Sequence, residues 1–286
     1  MRRTSTALVI FVAALGGSGC VQRGKPAVLY LARHGQTEWN RKSRFQGDPD
    51  LDPVGYINRV SLWLLLKDKR VDAIYASQKR RTQRTAELVA RQHKLQINVR
   101  SALNEIEPGI FEGICWADVA PADKVKPSAR ACTVRARGPR PEPVLARIRP
   151  MLAPIFDDSP AARLPLGESY ADVAARTQRF VSELSDGRAG REILVVGHGV
   201  VNKLLLHQLL GWKLTHVRRL RQANDQVFRI EYDAAGKTKR IALYTPGVGW
   251  KDCSPPTKAG QKHLDCQPQH APHHAGPTSK PASNSK

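Results

Sequence analysis

The chain has 286 residues, enough for one large α/β domain with accessory segments or for two small domains. Hydrophobic residues make up 41% of it, which excludes wholesale disorder. Lysine and arginine number 46 against 25 aspartate and glutamate, a net charge of +21 that favours anionic partners: phosphate esters, nucleic acid or an acidic membrane surface.

In chain order, Arg2 and Arg3 precede an apolar run over residues 7–15 that is too short to span a bilayer as a mature helix. Small residues 16–19 then lead to Cys20. This is a signal-peptide pattern, so residues 1–19 are set apart from the fold and export to the cell envelope is expected. Cys20 resembles the lipidated cysteine of bacterial lipoprotein signals, although Gly17 stands where those usually carry Leu. An ordinary cleaved signal is the alternative. After a linker over 20–26, the apolar run 28–32 predicts a buried strand ending in Arg33-His34-Gly35. Asp52-Pro53 opens a helix over 54–66. A strand follows over 71–76, a helix over 80–92 and a third strand over 96–99. Residues 107–165, rich in Pro, Arg and Ala, interrupt this rhythm and are expected to form an insertion or lid. A helix is predicted over 168–184. The apolar strand 192–196 ends, like the first, in a turn with histidine, Gly197-His198-Gly199, and a helix over 200–210 follows. Segments 226–232 and 240–244 read as closing strands around the turn 233–236. From residue 250 onward, Lys, Pro, Ser and His dominate and a poorly ordered tail is expected. The alternation predicts an α/β three-layer sandwich, with a mostly parallel central sheet and helices on both faces, over residues 27–249.

In an open α/β sheet, ligands bind beyond the carboxyl ends of the strands, so His34 and His198 are expected to face one crevice. The residues around them carry more information. Arg33-His34-Gly35-Gln36-Thr37-Glu38-Trp39-Asn40 resembles the signature of the histidine phosphatase superfamily, in its phosphoglycerate-mutase-like branch. Four further pieces follow in that family's order. Ser77-Gln78-Lys79-Arg80-Arg81-Thr82-Gln83-Arg84-Thr85-Ala86 resembles its second arginine motif. Leu103-Asn104-Glu105, with Phe111-Glu112-Gly113, resembles the segment bearing the general acid. Gly167-Glu168-Ser169 resembles a helix-opening motif, and Val195-Val196-Gly197-His198-Gly199 the second histidine motif. Thr82 and Arg84 depart from the family's usual Ala and Gln. Gly199, standing where the phytase-like branch has its acid, argues against that branch.

The resemblance implies His34 as nucleophile, Arg33 and Arg81 as phosphate ligands, Glu105 as general acid and base, and His198 as a further donor. Asn40 and Gln46 are candidate substrate contacts, or alternatively satisfy loop backbone. Glu107 and Glu112 are rivals to Glu105. The residue types suit the chemistry. A phosphate monoester resists attack until its charge is offset, and two guanidinium forks can do that. Turn N–H groups are available to complete the cradle. A neutral His34 can then attack phosphorus, provided its other ring nitrogen is held as a donor, as by a backbone carbonyl. Glu105 must be protonated for the leaving alkoxide and then act as base on water. Neither metal nor other cofactor is required if the arginines supply the electrostatic stabilisation.

The expected function is a phosphomonoesterase acting on a small-molecule phosphate ester. The alternatives are phosphoglycerate-mutase-type transfer and a non-catalytic binder of anionic envelope polymers. Nucleic acid is a poor fit, because aromatic residues make up only 6% and no nucleic-acid motif is present. A membrane surface remains a partner through Cys20 lipid and basic residues. Four cysteines besides Cys20 are compatible with two disulfides, proximity favouring Cys115–Cys132 and Cys253–Cys266 among three possible pairings, or with free thiols. His263, His270, His273 and His274, with Cys253 and Cys266, match no ordered zinc spacing.

Overall fold

The computed structural model describes residues 26–119, 161–218, 220–257 and 263–268, together with Arg147 and Pro150. The expected signal segment, Cys20, Cys132, most of the expected lid and the end of the tail lie outside the described residues.

The described elements are β1 (Ala27–Arg33), α1 (Glu38–Arg41), α2 (Pro53–Leu66), β2 (Ala73–Ala76), α3 (Arg80–His93), β3 (Ile97–Val99), α4 (Trp116–Val119), α5 (Tyr170–Gly187), β4 (Glu192–Gly197), α6 (Gly199–Leu210), α7 (Leu214–Val217), β5 (Val227–Tyr232), β6 (Thr238–Thr245), β7 (Gly249–Cys253) and β8 (Cys266–Pro268). Short 3-10 turns at Ser101–Leu103 and Gly109–Phe111 flank the loop after β3. The strands form one sheet in the order β3-β2-β4-β1-β5-β6-β7-β8.

Successive side chains of a strand point to opposite faces, and β1 and β4 are apolar on both. Leu29, Leu31, Ile193 and Val195 pack with Phe180 and Leu184 of α5 and Leu204 and Leu205 of α6. Tyr30, Ala32, Leu194 and Val196 pack on the opposite face with Leu62 and Leu66 of α2 and Ala86 and Val89 of α3. Helices therefore cover both faces, as predicted. The helix starts are locally encoded: Asp52 accepts from the Gly55 N–H ahead of Pro53, and Ser169 forms a reciprocal capping box with Asp172.

Two expectations need correction. The sheet is mixed rather than mostly parallel: it is parallel through β3-β2-β4-β1, then antiparallel from β1 to β5 and on to β8. Parallel neighbours need a crossover, and the short connections among β5, β6 and β7 permit only hairpins. The second correction concerns the tail. Gly249–Cys253 and Cys266–Pro268 are the last two strands among the described residues, and Cys253 lies opposite Cys266 in register and is bonded to it. Cysteines occupied in this way are not available as metal ligands.

Candidate active site

Register fixes the two histidines. Arg33 at the end of β1 is paired with Gly197 at the end of β4, so His34 and His198 emerge side by side. Their ring centroids are 5.1 Å apart, and both side chains are buried. Only glycine fits after His34, because a Cβ at Gly35 would stand 2.6 Å from the Gly55 carbonyl oxygen at the start of α2. The Gly35 N–H is then held by the Thr85 hydroxyl at 2.8 Å, which ties the turn to α3.

His34 Nδ1 lies 2.8 Å from the Gly35 carbonyl oxygen. In the neutral ring this makes Nδ1 the N–H donor and leaves Nε2 with its lone pair. Burial, and next the Arg81 and Arg33 charges, hold the His34 pKa well below the ordinary histidine range. His198 is held low by burial, then by Arg81, His34, Arg33 and Lys79. Its Nε2 is 2.8 Å from the Ser77 hydroxyl, while the buried Nδ1 has no hydrogen-bond partner among the described residues.

Arg81, in the first turn of α3, is fully buried and donates to the Gly47 carbonyl at 2.6 Å. Its Nε and second terminal nitrogen are buried without partners, and Asp48 lies 3.9 Å from the first. Burial lowers its pKa to about 10, opposed by Glu105 and Asp48, so it remains cationic at neutral pH. Arg33 donates to the Gln222 carbonyl at 2.8 Å and also keeps a buried, unpartnered Nε. Buried polar groups left unsatisfied are costly, and these belong to two guanidinium groups and an imidazole close to His34. Glu105 accepts from the Val200 N–H at 3.2 and 3.4 Å, at the start of α6, and from its own Ile106 N–H at 3.1 Å. A helix N-terminus favours such a carboxylate. A Cβ at Gly199 would touch both Glu105 and Arg33, at 3.6 and 3.9 Å, so the acid and the arginine flank the same helix end.

The structure thus brings Arg33, His34, Arg81, Glu105 and His198 together, and gives the remaining candidates other work. Asn40 Oδ1 accepts from Thr37 N–H and Thr37 Oγ1, both at 3.1 Å, in the capping box of α1. Gln46 accepts from Thr37 Oγ1 at 3.0 Å and donates to the Arg44 carbonyl at 3.0 Å. Both therefore satisfy loop groups. Glu107 pairs with Lys79 at 3.1 Å, and Glu112 is exposed. Arg80 pairs with Asp48 on an exposed helix face.

After β1, the backbone N–H groups are already engaged. Gly35, Gln36 and Thr37 donate to Thr85, Asn58 and Asn40 respectively. Sequence reasoning missed the residues that hold the site: Ser77 behind His198, Thr85 behind Gly35, and Asn224, whose amide donates to the His34 carbonyl at 2.7 Å. Ser77 and Thr85 lie within the second arginine motif, but the motif does not say what their hydroxyls hold, and Asn224, outside every quoted string, carries no local signal.

The family profile described as histidine phosphatase superfamily (branch 1) matches residues 29–161 and 135–243. A probable phosphoglycerate mutase of Photorhabdus laumondii is 27% identical over 206 residues, which cover 71% of this chain and 84% of that one. Among solved structures, a mycobacterial glucosyl-3-phosphoglycerate phosphatase in complex with VO3 is 26% identical, with a TM-score of 0.55, over 71% of this chain and 92% of its own. A putative alpha-ribazole-5'-P phosphatase from Escherichia coli shares the fold at 23% identity, with a TM-score of 0.58, over 74% of this chain and 93% of its own.

Proposed function

The chain belongs to the histidine phosphatase superfamily, branch 1, and from that membership we propose that it is a phosphomonoesterase working through a phosphohistidine on His34. The observation that carries this reading is the state of His34. It is buried, held neutral, oriented through Gly35 and set beside two arginines with unpartnered nitrogens.

Arg33, Arg81 and His198 bind the phosphoryl oxygens and offset their charge. His34 Nε2 attacks phosphorus, forming a P–N bond as the ester P–O bond breaks. Glu105 gives its proton to the departing alkoxide. Water then attacks the phosphohistidine, Glu105 takes its proton, and the P–N bond breaks to release orthophosphate.

A second reading, phosphoglycerate mutase activity, is favoured by the sequence relatives that bear that name. Hydrolysis is favoured by the similarity to the mycobacterial phosphatase and by the export expected of residues 1–19, which would separate the enzyme from the glycolytic pool. The test is to supply 3-phosphoglycerate with catalytic 2,3-bisphosphoglycerate, beside p-nitrophenyl phosphate, and to measure orthophosphate and 2-phosphoglycerate together. Orthophosphate release is expected, with the label from a radioactive ester trapped on His34. His34→Ala should lose about 10⁴-fold or more in kcat/KM while remaining folded. Rapid isomerisation with negligible orthophosphate would make the mutase reading the correct one.

A further inference from the structure

We infer that Arg176, locked to Glu168, is the positioning residue that sets Glu105 for protonation of the leaving group, an inference that rests on reading Glu105 as the general acid. Unlike the histidines, Glu105 is not on a strand or a helix. It lies on the loop between the turns Ser101–Leu103 and Gly109–Phe111, so no ladder of backbone hydrogen bonds fixes its Cα.

Side chains from α5 and its approach do so instead. Arg176 donates to the Ala102 carbonyl at 2.7 Å and to the Glu105 carbonyl at 3.2 Å. Its Nε and second terminal nitrogen also grip the two Glu168 oxygens, each at 2.9 Å. Glu168 in turn accepts from the Glu107 N–H at 3.0 Å, and its own N–H donates to the Glu107 carbonyl at 2.9 Å. The loop is thereby pinned before, at and after residue 105. Only a planar guanidinium can hold a carboxylate with one edge while donating to two carbonyls.

The Glu105 carboxylate itself is not touched by Arg176; its partners are Val200 and Ile106 N–H groups. Arg176 and Glu168 side chains are 22% and 20% exposed, a setting in which an ion pair contributes little net stability. Folding alone therefore does not explain a fork aimed at the acid-bearing loop. Burial pushes the Glu168 carboxyl up, but the Arg176 hydrogen bond and the Glu107 N–H outweigh it and keep the pair ionised. Nor is Glu168 needed to open α5, because Ser169 and Asp172 form the capping box.

The readout is leaving-group dependence. p-Nitrophenolate departs without a proton, whereas phenolate is a poorer leaving group and draws on the acid. The kcat/KM reports the step in which the ester bond breaks. Arg176→Ala is expected to lower kcat/KM on phenyl phosphate about tenfold more than on p-nitrophenyl phosphate. Arg176→Lys should fall between Arg176→Ala and the parent. Glu105→Gln should show the same selectivity more strongly, about 100-fold. Should Arg176→Ala fail to fold, Glu168→Gln, which keeps side-chain volume, supplies the same comparison. Equal losses on the two esters in a folded Arg176 or Glu168 variant, with Glu105→Gln still selective, would overturn the inference alone. Equal losses in Glu105→Gln would instead overturn the assignment of the acid.

Discussion

On the proposed mechanism, the half of the site that binds phosphate and the half that serves the leaving group are built by different means. Arg33, His34 and His198 stand at the ends of two adjacent strands whose register is fixed by a central sheet, and Arg81 is buried in the first turn of a helix. Glu105 sits on a loop that is tied down by side chains. Charge stabilisation is needed for any phosphate ester, so placing it on the rigid scaffold makes it independent of the rest of the substrate. Proton donation depends on where a particular leaving group lies, and a loop can be repositioned without disturbing the sheet.

The largest test of this contrast is removal of a scaffold charge. Arg81→Ala is expected to lower kcat/KM about 10²–10³-fold, by the same factor on p-nitrophenyl and phenyl phosphate. Inhibition by orthophosphate should weaken in parallel. A loss confined to the poorer leaving group would mean that Arg81 serves the acid and that the two halves are not separate.

A second test uses acid. His34 and His198 are both held well below the ordinary histidine range, by burial first and then by neighbouring cations. The unfolded chain therefore binds protons that the folded chain does not. Stability from this source is complete above about pH 6.5 and is lost as pH falls from there toward the depressed folded values. Each histidine contributes a slope of about 1.4 kcal/mol per pH unit in that window. Urea midpoints measured from pH 7.5 to 5 should fall, and a His34→Asn, His198→Asn double variant should flatten the fall. An unchanged slope in that variant would place the acid sensitivity elsewhere.

The same contrast explains what was legible in the sequence. Buried parallel strands are continuous apolar runs, and the residues beyond them sit in short strings, so 28–35 and 192–199 announced both the strands and the histidines. The ties are single polar residues far apart in the chain. Arg176 lies 71 positions from Glu105 and Ser77 lies 121 from His198, and such pairs have no local pattern. Asn40 and Gln46 belong to recognisable loops, yet their side chains are engaged by Thr37 and the Arg44 carbonyl. The strands β7 and β8 were hidden by composition: Lys and Pro are frequent in the segment and apolar residues sparse, although Trp250, Cys253 and Leu264 pack against the core and the Cys253–Cys266 bond closes the pairing.

The smallest expected effect concerns a tie within the phosphate half. Ser77 has its hydroxyl 2.8 Å from His198 Nε2, 2.8 Å from Thr82 Oγ1 and 3.1 Å from the Lys79 N–H. Its contact with Nε2 fixes the ring, and on the proposed mechanism the Nδ1, unpartnered among the described residues, serves a phosphoryl oxygen. Ser77→Ala leaves a buried ring nitrogen unsatisfied, at a cost of about 1–3 kcal/mol in stability. The imidazole would still be confined by packing, because it is fully buried and flanked by the His34 ring. Its activity cost should therefore be modest, about tenfold in kcat/KM, far below that of Arg81→Ala. Because Ser77 acts through a phosphate ligand, the loss should be equal on both esters, opposite to the pattern expected of Arg176→Ala. A selective loss on phenyl phosphate would place His198 on the leaving-group side and redraw the boundary between the two halves.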